Sequence, residues 1–190
     1  MPDRVAGPRS TSRPAAPLAT WLERVPLSVR MTVYSTSFLA FILVLLPWLA
    51  HRLDVHFPSL HVELGAGRLV GVVIAAVALG IYAASSYVLT HHGRGAYVEF
   101  DPPREFVAVG PFRWCRNPIA GSLVLTMLGL ALTFSSTGIL LLFLVGMALA
   151  HIQVVLLEEP LLRQRFGAPY ARYLREVPRW IPRRPRGSAP

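Results

Sequence analysis

The chain has 190 residues, enough for one domain, and is 53% hydrophobic but only 15% charged. A soluble domain carries nearer one-quarter charged residues, and here the apolar residues come in long blocks, which argues against a soluble globule and for an integral membrane protein. The net charge of +9 comes from 19 basic residues, all arginine, against 10 acidic ones; they flank the apolar blocks, as an anionic leaflet favours, and no nucleic-acid motif accompanies them.

Residues 1–28 are rich in Pro, Arg, Ser and Ala and read as a disordered basic tail, with a short interfacial helix near Trp21. The basic region is too long, and the apolar stretch after it too extended, for a signal peptide. Four apolar segments come next. The first runs from about Val29 to Ala50, with Pro47 expected to kink or end it. The second runs from about Leu69 to Leu89, and residues 29–90 form an N-terminal helix pair. The third, Ile119 to Phe134, is short for a span, and the fourth runs from about Gly138 to Leu157. The last two make a tight hairpin around Ser135, Ser136 and Gly138, with Gly121, Ser122, Gly129, Gly146 and Ala148 expected to let them approach closely. Residues 91–182 hold the remaining polar motifs, and 183–190 read as a second disordered tail. The sequence therefore predicts an all-α integral membrane bundle of about four transmembrane helices with a C-terminal helix on its cytosolic face.

The connections set the expected orientation. Five arginines fall in the first 30 residues, four in the 90–118 loop and eight after residue 158, against two between His51 and Arg68. The positive-inside rule places both termini and the 90–118 loop in the cytosol, as in a bacterial inner membrane.

Two cytosolic segments, rich in Arg, Pro and aromatics, bracket the hairpin. In GPFRWCRNPIAGS, Asn117 suits an N-cap and Pro118 the first helical position. Arg113 and Arg116 suit lipid phosphates, or an anion held at a helix N-terminus. Glu158 and Glu159 precede Pro160; they read either as favourable charges where Pro160 starts a new helix, or as ligands for a cation or for ribose hydroxyls. His151 lies seven residues before Glu158, on the same face of a regular helix, as a packing group or a proton acceptor. Phe166, Tyr170 and Tyr173 recur at helical spacing among arginines, as in an interfacial amphipathic helix or a lid. Cys115 is the only cysteine. His51, His56 and His61 lack the spacing and partners of a metal site, and Gly93-Arg94-Gly95 is too short to mark a nucleotide loop.

The ordered pair FDPPREFVAVGPFRWCRNP and EEPLLRQRFGAPYARYLREVPRWIP resembles the isoprenylcysteine carboxyl methyltransferase and phospholipid methyltransferase superfamily of membrane enzymes. The resemblance covers residues 93 to 182. It implies S-adenosylmethionine as methyl donor, bound at the cytosolic side. It implies catalytic roles for Arg116 and Glu158, and cofactor contacts from Gly110, Asn117, Pro118, Glu159, His151, Tyr170 and Tyr173. Many members have His at position 117 and Tyr at 120, where this chain has Asn117 and Ala120. The implied function is methyl transfer to a lipophilic or small amphiphilic acceptor (a carboxylate, thiol or amine) in contact with the bilayer. Two other readings fit the same residues: a membrane reductase using NADPH, and a non-enzymatic membrane scaffold or partner subunit.

Overall fold

The computed structural model describes residues 25–58, 63–93 and 105–184. The tail to residue 24 with Trp21, and His61, Arg94, Gly95 and residues 185–190, lie outside the described residues. Within them the chain is helical, with no strand. Helix α1 runs from Ser28 to His56, α2 from Gly67 to Gly93, α3 from Pro118 to Phe134 and α4 from Thr137 to Phe166. A short helix α5, Ala168–Glu176, comes after them. Helices α1, α2 and α4 have 29, 27 and 30 residues and are long and apolar enough to cross a bilayer; α3, with 17, reaches only about 25 Å. Large apolar side chains on α1, α2 and α4 stay exposed, as bilayer-facing surfaces do. The chain is thus an all-α membrane bundle.

Two prolines sit inside helices without ending them. Pro47 lies two residues beyond a π-turn at Phe41–Leu45, and Pro160 two residues beyond another at Val154–Glu158. A proline ring clashes with the carbonyl four residues back and offers it no N–H. Widening the turn that contains that carbonyl relieves both problems. The first helix therefore does not end at Pro47, and the reading of Pro160 as the start of a new helix is corrected. Each helix continues in one piece.

The close packing also differs from expectation. Helix α3 meets α2 at the closest distance, not α4. A Cβ at Gly71 would lie 2.6 Å from the Gly129 carbonyl oxygen, and one at Gly129 would lie 2.6 Å from the Ala75 nitrogen. By contrast, a Cβ on Gly146 would meet nothing within 4 Å. Gly129 thus serves the α2–α3 contact, for which hydropathy gave no signal.

One end of the bundle is tied by polar bonds. Ser135 adopts the left-handed conformation (φ 49°), and Ser136 caps α4 by accepting from the Ile139 N–H at 3.1 Å. Asp54 of α1 accepts from the Ser136 hydroxyl and the Gly138 N–H, each at 2.6 Å, and contacts His51 at 2.9 Å. Arg68 of α2 donates to the Ser135 hydroxyl at 3.1 Å. Three helices therefore converge on the expected hairpin turn.

Candidate functional site

The opposite end is organised by the turn before α3. Gly110 opens a 3₁₀ turn, Gly110–Arg113, with φ +58°, and a Cβ there would sit 3.1 Å from Val88 of α2. Glycine suits both the backbone and the contact. Asn117 occupies the N-cap of α3 and Pro118 its first turn, as the sequence predicts, but the Asn117 side chain does not cap. Its Nδ2 instead donates to the Arg179 carbonyl at 3.1 Å.

That bond belongs to a strap, residues 177–184, which lies across the turn. Pro178 and Pro182, four residues apart, deny it a helix. The Arg116 N–H donates to the Pro178 carbonyl at 2.9 Å and the Arg183 N–H to the Trp114 carbonyl at 3.0 Å. The Cys115 thiol donates to the carbonyls of Arg179 (3.3 Å) and Trp180 (3.2 Å). Burial pushes the Cys115 pKa up, only partly offset by the Asn117 N–H and the Arg116 charge, so the group stays a neutral thiol at neutral pH.

Glu159 is the hub of the charged cluster. Arg116 Nη1 reaches its Oε1 at 2.8 Å, while Arg179 binds both oxygens, Nε to Oε1 at 2.8 Å and Nη2 to Oε2 at 3.0 Å. The Arg116 and Glu159 side chains are only 12% and 14% exposed, which places this pair largely out of water. Arg116 Nε is buried and has no partner among the described residues.

Glu158 is exposed and stands outside the cluster. The π-turn at Val154–Glu158 acts as a one-residue insertion and rotates the downstream part of the helix by about 100°. The expectation that His151 and Glu158 share a face is therefore corrected: Glu159 takes that place. The strap touches both of its members, since Trp180 Nε1 donates to His151 Nδ1 at 3.1 Å while the adjacent Arg179 holds Glu159. An indole N–H can only donate, so His151 Nδ1 is an acceptor and the neutral ring carries its proton on Nε2.

Tyr170 and Tyr173 of α5 are buried. Their rings meet Phe106 edge-on at 5.8 and 5.2 Å, and the Tyr173 hydroxyl donates to the Phe112 carbonyl at 2.7 Å. They pin the 105–113 loop to α5, so the apolar face of α5 packs inward rather than onto an interface. Burial, reinforced by the Glu159 and Glu158 carboxylates, pushes the Tyr170 pKa up to about 12. Tyr173 is also raised, chiefly by burial.

Beside the cluster lies an open-sided cavity of about 1130 Å³, lined by α2, α3 and α4 and bordered at one end by the turn and strap. Asn117, Pro118 and His151 line it; Gly110, Arg116, Glu158, Glu159, Tyr170 and Tyr173 do not. The wall is apolar, and its polar members are Trp114, Cys115, Asn117, Ser122, His151 and Trp180. The structure thus unites Arg116, Asn117, Pro118, Glu159 and His151 around one end of the hollow. Glu158 remains apart from it, and the tyrosines form a buttress behind it.

Arg179 and Trp180 were not expected at the site. Their partners lie far back along the chain, and the only local signal was an Arg-Trp pair between two helix-breaking prolines.

No curated protein is similar enough in sequence to match the chain. The profile of the phospholipid methyltransferase family matches residues 67–169, taking in α2, the turn, the α3–α4 hairpin and the start of α5. That is more than half of the chain, and it takes in the three helices that line the cavity; the chain belongs to the phospholipid methyltransferase family.

Proposed function

We propose that the protein is an S-adenosylmethionine-dependent methyltransferase of the membrane, with the cofactor at the Arg116–Glu159–Arg179 cluster and a lipophilic or small amphiphilic acceptor in the adjoining cavity. The arginine asymmetry supports a cytosolic placement of this end and of both termini, with the bilayer as the source of the acceptor. The observation that carries the reading is the abutment of a largely dry charged cluster on a large apolar hollow. Asn117 and Trp180 line the hollow, and their immediate neighbours Arg116 and Arg179 hold Glu159.

The residues present fit the cofactor. The buried, unpartnered Arg116 Nε supplies a donor for a carboxylate, and Glu159, already bound by two guanidiniums, keeps lone pairs that can accept from ribose hydroxyls. When bound, S-adenosylmethionine supplies a methyl group made electrophilic by its sulfonium. The chain's own contribution is to hold the acceptor in line and to keep water out, which the apolar wall favours. Proton removal narrows the acceptor class. His151 Nδ1 is occupied by the Trp180 N–H, and the Cys115 thiol is spent on two carbonyls. The cavity wall therefore offers no free base. A carboxylate acceptor needs none, whereas an amine or thiol must give its proton to solvent.

Calorimetry with S-adenosylhomocysteine, and then transfer of label from tritiated S-adenosylmethionine to a membrane extract, tests this. Binding that is weakened by Arg116→Lys, which removes Nε while keeping the charge, is expected. A folded preparation that binds neither compound refutes it.

A further inference from the structure

Trp180 spans the gap between two helices. Its indole N–H is held by His151 on α4, and its Cε3 lies 3.9 Å from where a Cβ on Gly121 of α3 would sit. All three residues line the cavity. The Trp180 backbone is fixed as well, because its carbonyl accepts from Cys115, itself buried in the same wall. The indole is thus a cross-bar at the end of the hollow nearest the charged cluster, secured at its tip by one hydrogen bond. Gly121 leaves room for the ring on one side, and the acceptor atom on His151 holds it from the other.

We propose that Trp180 is the specificity-determining residue of the cavity: it sets the size of the apolar group that can reach the end beside Glu159, and His151 is its positioning residue. The inference rests on the reading of the cavity as the acceptor's chamber. If the cross-bar is removed, bulkier groups reach the end; if only the hydrogen bond is lost, the ring swings and selectivity is relaxed in part.

Cys115, the chain's single thiol, reports on this directly, without any need for turnover. The full-length protein in lipid nanodiscs is alkylated with either N-ethylmaleimide or the bulky pyrenylmaleimide, and the two rates are compared. Because burial keeps the Cys115 thiol neutral, the wild type is expected to react slowly with the small reagent and far more slowly with the large one; a wild type inert to both overturns the proposal. Trp180→Ala is expected to bring the two rates together. Trp180→Phe, which keeps a ring and loses the N–H, and His151→Leu, which loses the acceptor, are expected to raise the pyrenylmaleimide rate by about five- to tenfold, the change in open population for one lost hydrogen bond. His151→Gln, whose carbonyl still accepts from the indole, is expected to keep the wild-type ratio. Equal rates with both reagents in the wild type, or variants that speed both reagents alike or neither, overturn the proposal. Failure of the wild type to bind S-adenosylhomocysteine, with the reagent ratios as expected, removes the acceptor reading alone and leaves the size selection by Trp180 standing.

Discussion

Glu159, not its neighbour Glu158, meets Arg116, at 2.8 Å. A π-turn one residue upstream selects between two chemically identical side chains, and it exists where Pro160 needs a widened turn. Helix register, and not residue type, decides which carboxylate enters the cluster.

The two glutamates should therefore respond differently to neutralisation. Glu159→Gln leaves two guanidiniums facing each other in a poorly solvated place and should cost about 2–3 kcal/mol. Glu158→Gln removes a carboxylate that pairs with neither arginine and repels Glu159, and should be neutral or slightly stabilising. Thermal unfolding in detergent checks this; equal effects on the melting temperature would refute the assignment of the hub.

The α2–α3 contact makes a second prediction. Gly129→Ala drives a Cβ into the Ala75 backbone and should destabilise by about 1–3 kcal/mol, whereas Gly146→Ala, with open space around it, should be neutral or slightly stabilising. Midpoints of unfolding for the two variants, measured side by side, decide it. A neutral Gly129→Ala would mean that the two helices do not touch there.

Alkali should weaken the fold through Tyr170. Its pKa is raised from 10.0 to about 12, so the folded state keeps a proton that the unfolded state releases first. The stabilisation is complete below about pH 10 and is lost as pH rises toward 12, a change of roughly 2–3 kcal/mol. Tyr170→Phe should make the alkaline limb of the stability profile shallower without removing it, because the raised Tyr173 loses stability over the same window; tyrosinate absorbance and unfolding are followed together. An unchanged limb in the variant would place the sensitivity elsewhere.

At the opposite end, Asp54→Ala removes the acceptor for the Ser136 hydroxyl and the Gly138 N–H and should cost about 2 kcal/mol. Because Asp54 is remote from the cluster, the affinity for S-adenosylhomocysteine should stay as in the wild type. Calorimetry beside thermal unfolding separates the two quantities; a loss of affinity in a variant of wild-type stability would contradict this division of roles.

Much of the scaffold was legible because hydropathy is a strong, local signal. The four apolar segments, the short α3 and the turn at Ser135 and Ser136 all arise from blocks and breaks in the sequence. Asn117 and Pro118 likewise announce a helix start. Register was not legible: regular periodicity puts His151 beside Glu158, and only the relief of Pro160 by a widened turn exchanges Glu159 for it. Partner choice was equally hidden. Gly129 looks the same whether it packs on α4 or α2. The strap hydrogen bonds join Cys115 and Asn117 to residues more than 60 positions away, a distance at which no sequence pattern carries information.

The strap also imposes an order on biosynthesis. Residues 177–184 come after all four bundle helices, so they emerge from the ribosome once the last of these has been made. Until Arg179 arrives, Glu159 has Arg116 as its only guanidinium partner of the mature pair, and the end of the hollow that Trp180 will bar stands open. A chain stalled just after α5 would be inserted in the bilayer yet lack half of its charged hub, so completion of the site is coupled to completion of translation through this region.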